Sequence, residues 1–379
     1  MQVISKLPQV GASIFSTMSA LAKEHNAINL SQGFPDYDCH PQLLELVKKY
    51  HAGYNQYAPM PGVLALRETI SQLIETSYGA HYHPETEITI TAGATQAIYT
   101  CLAAFVKTGD EVIVFEPCYD SYIPAIEANG GIAKAIELEQ PNFTINWKKV
   151  EEAITEKTTC IIINSPHNPS GTTLSKDDLL QLERIVTNKN IIVLSDEVYE
   201  HMVFDAQVHE SVARYKSLAA QSVIISSFGK TVHATGWKIG YVAAPKELMS
   251  EFRKLHQFLV FCVNHPLQMA LADYLKDKTV YSELHSFYQN KRDYFNRLIA
   301  GSRFNFKPSS GTYFQLVNYK NITDEPDTDF AIRLTKEKGL ALIPLSVFYS
   351  NKPQQQLLRI CFAKKEETLE KAAEIICKL

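Results

Sequence analysis

One lysine in the sequence stands where an amine could do chemistry. Lys230 follows the apolar, β-branched run 223–225, and Gly229 directly before it allows a tight turn. A second apolar run begins at Ile239. A solvated lysine on a loop between two strands fits this pattern, and so does an amine placed to form a Schiff base. The second interpretation needs partner groups elsewhere in the chain.

An aspartate follows another apolar run. Asp196 stands two positions after the run 191–194, which contains only Ile, Val and Leu. A carboxylate at the end of an apolar strand is costly unless it meets a cation or a donor. The protonated pyridine nitrogen of pyridoxal 5′-phosphate (PLP) would be such a partner, and Tyr199 could place its hydroxyl beside the same ring. A helix N-cap aspartate is the alternative.

Three further patterns follow apolar runs. Gly93, Ala94 and Thr95 open into a helical stretch, so backbone amides and a hydroxyl could approach an anion there. Tyr119 could stack on a flat ring. Asn168 stands between two prolines, which fix the direction of its amide. Alone, these patterns also fit an ordinary N-cap, a core tyrosine and a turn.

Taken together and in this order, the motifs resemble those of the fold-type I, PLP-dependent aminotransferases of class I. The shared motifs are GAT (93–95), SPHNPSG (165–171), DEVY (196–199), SSFGK (226–230) and TGWKIG (235–240). The likeness extends from Ile4 to the C-terminus. Within this class, LSQGFPD, NQYAPM, GTYF and IPLSVF are most similar to the bacterial methionine aminotransferases of the kynurenine/glutamine transaminase branch.

The resemblance implies a role for each matched catalytic residue. Lys230 would form the aldimine with PLP and then move the proton between the substrate Cα and the cofactor. Asp196 would keep the pyridine nitrogen protonated, so that the ring acts as an electron sink. Asn168 and Tyr199 would hydrogen-bond the phenolic oxygen of the cofactor, and Tyr119 would stack on its ring.

The resemblance also implies how the cofactor phosphate is held. The expected contacts are the turn at Gly93 with the backbone amides of Ala94 and Thr95, the hydroxyl of Ser227 and the ammonium of Lys238. Lys238 stands where aspartate aminotransferases carry an arginine, so a point charge replaces a fork of donors. Tyr57 would reach the phosphate in the neighbouring subunit's site, which makes the expected enzyme a homodimer.

Arg359 is the predicted site for the substrate carboxylate. A guanidinium inside the apolar run 357–361 needs a bidentate acid, or else it lies on a strand edge and pairs with a surface acid. The resemblance assigns it the substrate α-carboxylate, with Gly33 and Asn168 beside it. No second arginine matches the site that binds the side-chain carboxylate of a dicarboxylic amino acid. Methionine or aromatic amino acids are therefore expected as amino donors. The candidate pocket residues are Phe34, Tyr37, Tyr119 and Phe261.

Strands and helices alternate through the middle of the chain. The predicted strands are 88–91, 111–115, 132–138, 160–164, 191–195, 223–227 and 239–244. This alternation predicts an α/β fold with a mainly parallel, seven-stranded sheet covered on both faces. Ligands of such sheets bind beyond the carboxyl ends of the strands, where the residues above stand.

The remaining segments predict a second, smaller domain. We expect residues 1–40 to form an N-terminal arm and part of the small domain, residues 41–280 the large PLP-binding domain, and residues 281–379 a small α+β domain. Its predicted strands are 312–317, 340–344 and 357–362, after a linking helix over 281–299.

Composition excludes several classes of function. The net charge of −4 over 379 residues implies no basic surface for nucleic acid. The seven cysteines are scattered and never form CxxC, which favours reduced core thiols over disulfides or a metal site. The sequence has no run of about 20 apolar residues for a membrane span, so a cytoplasmic protein without a membrane partner is expected.

Three alternatives remain at this point. Cysteine-conjugate β-lyase or kynurenine/glutamine transaminase activity would use the same site residues. A non-enzymatic relative of the fold would have lost its lysine or gained a DNA-binding segment, and the sequence shows neither change. A nucleotide-dependent α/β enzyme would need a glycine-rich dinucleotide or triphosphate loop, which the sequence lacks.

Overall fold

The structure is a computed structural model that describes residue 1 and residues 3–379. The strands are β1 (Ile28–Asn29), β2 (Ile88–Thr91), β3 (Glu111–Glu116), β4 (Ile132–Glu137), β5 (Thr158–Asn164), β6 (Ile192–Asp196), β7 (Ser222–Ser227), β8 (Gly240–Ala243), β9 (Phe314–Asn318), β10 (Leu340–Ala341), β11 (Ile343–Pro344) and β12 (Leu357–Cys361).

The α-helices cover both faces of the largest sheet and link it to the C-terminal strands. They are α1 (Ile14–Glu24), α2 (Pro41–His51), α3 (Leu64–Tyr78), α4 (Ala94–Phe105), α5 (Tyr122–Ala128), α6 (Trp147–Ala153), α7 (Lys176–Val186), α8 (Lys216–Ala219), α9 (Phe228–Thr231), α10 (Lys246–Leu259), α11 (His265–Tyr274), α12 (Thr279–Ser282), α13 (Leu284–Ile299), α14 (Asp327–Arg333) and α15 (Glu366–Ile376).

The largest sheet has seven strands in the order β2-β8-β7-β6-β5-β3-β4. The prediction of a mainly parallel, seven-stranded α/β sheet is confirmed, and β8 runs opposite to the other six strands. All residues of β3 are buried, as are nearly all of β5 and β7, because helices cover both faces of the sheet.

The carboxyl ends of the parallel strands bring the predicted site residues to one edge. Asn164 at the end of β5 lies opposite Asp196 at the end of β6. Next to them, β7 ends at Ser227, and the single-turn helix α9 begins directly after it. Lys230 therefore stands on a helix that follows a central strand, and the interpretation as a lysine on a loop is wrong.

The C-terminal strands form a smaller antiparallel sheet with the order β11-β12-β9. The predicted strand 340–344 is in fact two strands, because β10 pairs with β1 near the N-terminus whereas β11 pairs with β12. The N-terminal segment thus packs against the C-terminal part of the chain.

The domain boundaries at residues 40 and 280 stay a prediction. The linking helix α13 begins at Leu284, after the separate helix α12.

All seven cysteines are free, and five of them are buried. None of the helices in the described part of the chain is long and apolar enough to cross a membrane.

Candidate active site

A cavity of about 250 Å³ opens at the carboxyl ends of β5, β6 and β7. Most of the predicted site residues line it: Gly33, Ala94, Thr95, Tyr119, Asn168, Asp196, Tyr199, Ser227, Lys230, Lys238 and Arg359. Residues that are far apart in the sequence therefore meet in one place, and the roles assigned to them can be tested against its geometry.

The Lys230 amine is held by two oxygen atoms. Its Nζ donates to the backbone oxygen of Gly33 at 3.1 Å and to the hydroxyl of Tyr313 at 2.6 Å. Burial, together with the nearby charges of Arg359 and Lys238, lowers the pKa of Lys230 from 10.5 to about 8. An amine with this pKa is partly neutral near physiological pH, which a nucleophile or a general base requires.

Asp196 is a buried acid whose protein partners are neutral. Its side chain is 4% exposed, and it accepts hydrogen bonds from the Tyr122 hydroxyl at 2.6 Å and the Val198 amide at 3.3 Å. Burial raises the pKa of Asp196 from 3.8 to about 6 despite these hydrogen bonds. A cation placed against this carboxylate from the cavity side would offset the cost of its burial.

Arg359 on β12 is a buried cation with donors to spare. It is 1% exposed, and its guanidinium donates to Asn168 Oδ1 at 2.6 Å and to the Ser31 backbone oxygen at 3.1 Å. The guanidinium carbon lies 3.9 Å from the ring centroid of Phe314. Within the described residues, Nε has no hydrogen-bond partner. The group is therefore oriented by neutral oxygens and retains capacity for a carboxylate.

The first turn of α4 forms an anion cradle together with Lys238. Gly93 is the N-cap of α4 and has a φ of +80°. A Cβ at Gly93 would lie 3.2 Å from Lys238 Nζ, so only glycine leaves this approach open. The first amides of a helix have no acceptor within the helix, and the helix dipole favours negative charge beside them. The cradle suits a phosphate.

Two tyrosines and an asparagine also line the cavity that contains Arg359 and the α4 cradle. The Tyr119 hydroxyl lies 3.2 Å from Thr95 Oγ1. The Tyr199 ring packs edge-on against the Tyr313 ring, with centroids 5.2 Å apart. Burial raises the pKa of both Tyr119 and Tyr199, so both phenols stay protonated. Asn168 gives its oxygen to Arg359, which leaves its amide NH₂ for a ligand.

Some predicted residues lie outside the cavity. Tyr57 is 79% exposed, and its ring packs edge-on against Phe261 at 5.0 Å, away from this chain's own site. Of the predicted side-chain pocket, Phe34 and Tyr119 line the cavity. Phe261 and Tyr37 do not, and the Tyr37 hydroxyl instead donates to Tyr288 at 3.2 Å. Their assignment to the side-chain pocket therefore stays a prediction.

Sequence reasoning missed three residues of the site. Tyr313 contacts the Lys230 amine, Tyr122 contacts the Asp196 carboxylate, and Phe15 on α1 lines the cavity 5.3 Å from the Arg359 guanidinium carbon. Tyr122 and Phe15 are aromatic residues with an apolar neighbour, which indicates only a core position. Tyr313 stands in the GTYF motif (311–314), but its partner Lys230 is remote in sequence, so the motif alone does not predict the contact.

The geometry can bind a phosphate at one end and a carboxylate at the other, and it places a weakly basic amine and a buried acid between them. A family model described as aminotransferase class I and II matches residues 25–376. The chain is 48% identical to the methionine aminotransferase of Escherichia coli over 99% of this chain and 98% of that protein.

Two further comparisons extend this result. The chain is 32% identical to the kynurenine–oxoglutarate transaminase of Dictyostelium discoideum, with 97% of this chain and 94% of that protein covered. The crystal structure of YbdL from Escherichia coli, described as a methionine aminotransferase, superposes with a TM-score of 0.98 at 48% identity over 100% of both chains.

Proposed function

The chain belongs to the class I and II aminotransferases, and we propose that it transfers the amino group of methionine, and of aromatic or other apolar amino acids, to a 2-oxo acid with PLP as its cofactor. The observation that carries this proposal is the Lys230 amine in one cavity with the buried Asp196 and Arg359. The similarity to the Escherichia coli methionine aminotransferase and the apolar wall at Phe15 and Phe34 support methionine as a donor.

The residues of the cavity fit PLP group by group. The α4 cradle with Lys238 and Ser227 would hold its phosphate, and Asp196 would face its pyridinium nitrogen. Tyr119 would pack against its ring, with Asn168 and Tyr199 at its phenolic oxygen. Lys230 supplies the amine for its aldehyde. When bound, PLP supplies the electron sink that allows the Cα–H bond of an amino acid to break.

Two side chains of the protein would act on the substrate itself: one binds and orients it, and the other moves its Cα proton. Arg359 would bind the α-carboxylate in a bidentate pair, which fixes the substrate with its Cα towards Lys230. The neutral form of Lys230 would accept the Cα proton and later return it. Amino donor and 2-oxo acid acceptor both carry the carboxylate that Arg359 binds, so the same residues serve both half-reactions.

A kynurenine transaminase or a β-lyase is the second candidate. It is favoured by the similarity to the Dictyostelium discoideum enzyme, and loss of the Cα proton is common to both reactions. A β-lyase releases 2-oxo acid from a cysteine conjugate without any amino acceptor. Assays with and without a 2-oxo acid acceptor therefore distinguish elimination from transamination.

The proposed assembly is a homodimer in the cytoplasm. The exposed position of Tyr57, outside its own chain's cavity, supports a role in the site of a second subunit. The seven free cysteines are those expected in a reducing compartment.

The test is a donor panel combined with a lysine substitution. The purified protein should show a visible absorption band from its cofactor and convert methionine, phenylalanine and tyrosine faster than aspartate. In Lys230→Ala the rate should fall by about 10³-fold or more, because both the nucleophile and the base are lost. Lys246→Ala, at an exposed lysine that begins α10, is the matched control and should leave the rate unchanged.

Two results would count against the proposal. Full activity in Lys230→Ala would overturn the assignment of the amine. Faster turnover of aspartate than of methionine would overturn only the donor preference.

A further inference from the structure

The mechanism above leaves Tyr313 unused, although it touches the reacting amine. Tyr313 is fully buried, and its ring lies between those of Tyr199 and Tyr288, at 5.2 and 5.7 Å. Its hydroxyl donates to the Gly33 backbone oxygen at 2.5 Å and accepts from Lys230 Nζ at 2.6 Å. Burial raises the pKa of Tyr313 well above its ordinary value, so the phenol keeps its proton. That proton is committed to Gly33.

This arrangement fixes the direction of the Lys230 lone pair. A neutral primary amine has two N–H bonds and one lone pair. The phenol oxygen of Tyr313 and the carbonyl oxygen of Gly33 both accept, so they occupy both N–H bonds. The lone pair must then point away from both oxygens. In the ammonium form, the third N–H bond takes that same direction.

We propose that Tyr313 is a catalytic residue that, together with the Gly33 carbonyl, aims the Lys230 amine at the substrate Cα. This inference rests on the proposed amino transfer. In the step that it assists, the Cα–H bond breaks and an N–H bond forms at Nζ, while the electron pair of the broken bond stays on the substrate side. The proton later returns from Nζ to carbon, which restores the neutral amine. Proton transfer along one fixed direction reduces the reorganisation that each transfer needs.

A purely structural role makes a different prediction. Gly33 belongs to the same segment as Ser31, whose backbone oxygen accepts from Arg359. If Tyr313 only pinned this segment, its loss would disturb carboxylate binding and raise KM. If Tyr313 aims the amine, its loss should lower kcat and change the acidity of Lys230, because an acceptor that stabilises the ammonium form is removed.

The experiment compares Tyr313→Phe with Tyr288→Phe. Tyr288 is the matched control, since it is equally buried and packs against Tyr313. Its hydroxyl accepts a hydrogen bond from Tyr37 and does not contact Lys230. In Tyr313→Phe, kcat with methionine should fall by about 10- to 100-fold while KM changes less than about twofold. The isotope effect on kcat with Cα-deuterated methionine should increase. Tyr288→Phe should behave as the parent enzyme.

A readout independent of turnover uses the cofactor-free protein. Reductive methylation of Lys230, followed by peptide mass spectrometry across pH, reports the acidity of Nζ. The midpoint should lie near the pKa of about 8 in the parent protein and in Tyr288→Phe, and at lower pH in Tyr313→Phe. If Tyr313→Phe does not fold, 3-fluorotyrosine at position 313, whose oxygen is a weaker acceptor, should move both readouts less but in the same direction.

Either of two outcomes would overturn the inference: a raised KM with unchanged kcat and midpoint, or behaviour like that of Tyr288→Phe. Failure of the proposed function would look different, because the parent enzyme itself would then transfer no amino group.

Discussion

At the scale of single residues, the site contains buried charged side chains whose hydrogen-bond partners are neutral. Asp196 meets two neutral donors, and Arg359 meets two neutral oxygens. Each contact orients the charged group without neutralising it. The protein therefore bears a cost in stability that the cofactor and the substrate would remove when they bind.

Replacing Asp196 by asparagine should measure this cost. In the folded protein the Asp196 pKa is raised from 3.8 to about 6, so the folded state binds this proton more tightly than the unfolded state. The contribution of Asp196 to the free energy of unfolding is then largest below about pH 4 and falls as the pH rises to about 6. The loss is at most about 3 kcal/mol. Asp196→Asn does not titrate and should escape this loss, apart from the hydrogen bond from the Val198 amide, which the side-chain NH₂ of asparagine cannot accept.

Urea denaturation of the cofactor-free forms between pH 4 and pH 8 tests this. Asp196→Asn should be the more stable protein at pH 8, with the difference shrinking towards pH 4. With PLP added the order should reverse, and the variant should bind the cofactor more weakly and lose at least about 100-fold in rate. A less stable variant at pH 8 without cofactor would contradict the argument.

At the scale of elements, a second buried acid, Glu200, connects the turn after β6 to neighbouring elements by hydrogen bonds. Glu200 is 4% exposed and accepts from Ser226 on β7 at 2.6 Å, from Tyr241 on β8 at 3.0 Å, and from Tyr78 on α3. One carboxylate thus ties two strands and a helix to the turn that carries Tyr199. The position of the catalytic turn depends on this network.

Removing the acceptor should therefore be costly. Glu200→Leu leaves three buried hydroxyls without their acceptor, and we expect a loss of at least about 3 kcal/mol in the free energy of unfolding. Glu200→Gln keeps one oxygen for Ser226 and Tyr241 and should lose about 1 kcal/mol. Urea midpoints of the holoenzyme measure both. Equal stability of the two variants would show that the network does not hold the turn.

The elements also show what the sequence can and cannot predict. Six of the seven strands of the large sheet follow from apolar runs, since they are buried on both faces. The edge strand β4 has only one buried residue and a weaker apolar pattern. The two-residue strand β1 and the division between β10 and β11 do not, because their partners are hundreds of residues away or in different sheets. The seven-residue helices α5 and α6 are too short for a clear periodic signal.

The residues of the site also divide into those that the sequence predicts and those that only the structure reveals. Lys230 and Asp196 follow from their places after apolar runs and from the motifs around them. The contact of Lys230 with Tyr313 spans 83 positions, and that of Tyr122 with Asp196 spans 74. Tyr122 does not differ in its local sequence from a core residue, and the GTYF motif around Tyr313 does not indicate which residue that tyrosine contacts. Only the folded chain brings the four side chains together.

At the scale of the whole molecule, one chain leaves an apolar surface beside Tyr57 exposed. Tyr57 is 79% exposed, and Phe258, Leu259 and Phe261 are 86%, 47% and 52% exposed. An exposed cluster of large apolar side chains marks a contact surface. A second copy of the chain, which the Tyr57 assignment requires, would cover it.

Hybrid dimers can decide which site Tyr57 serves. Lys230→Ala and Tyr57→Ala should each give a poorly active homodimer, the first without its amine and the second without a phosphate contact. In a hybrid of the two, the site that keeps Lys230 would receive an intact Tyr57 from the partner chain. One site per dimer should then match the parent enzyme, and the other should be inactive.

Differently tagged chains allow the hybrid to be purified, and its kcat per dimer should be about half the parent value, because one of two sites works. The cofactor affinity of that site should equal the parent value rather than that of Tyr57→Ala. If Tyr57 serves its own chain, the site with Lys230 lacks Tyr57 in the hybrid as well, and no activity is regained. A monomeric mass by light scattering would overturn the shared site directly, since Tyr57 lies outside the cavity of its own chain.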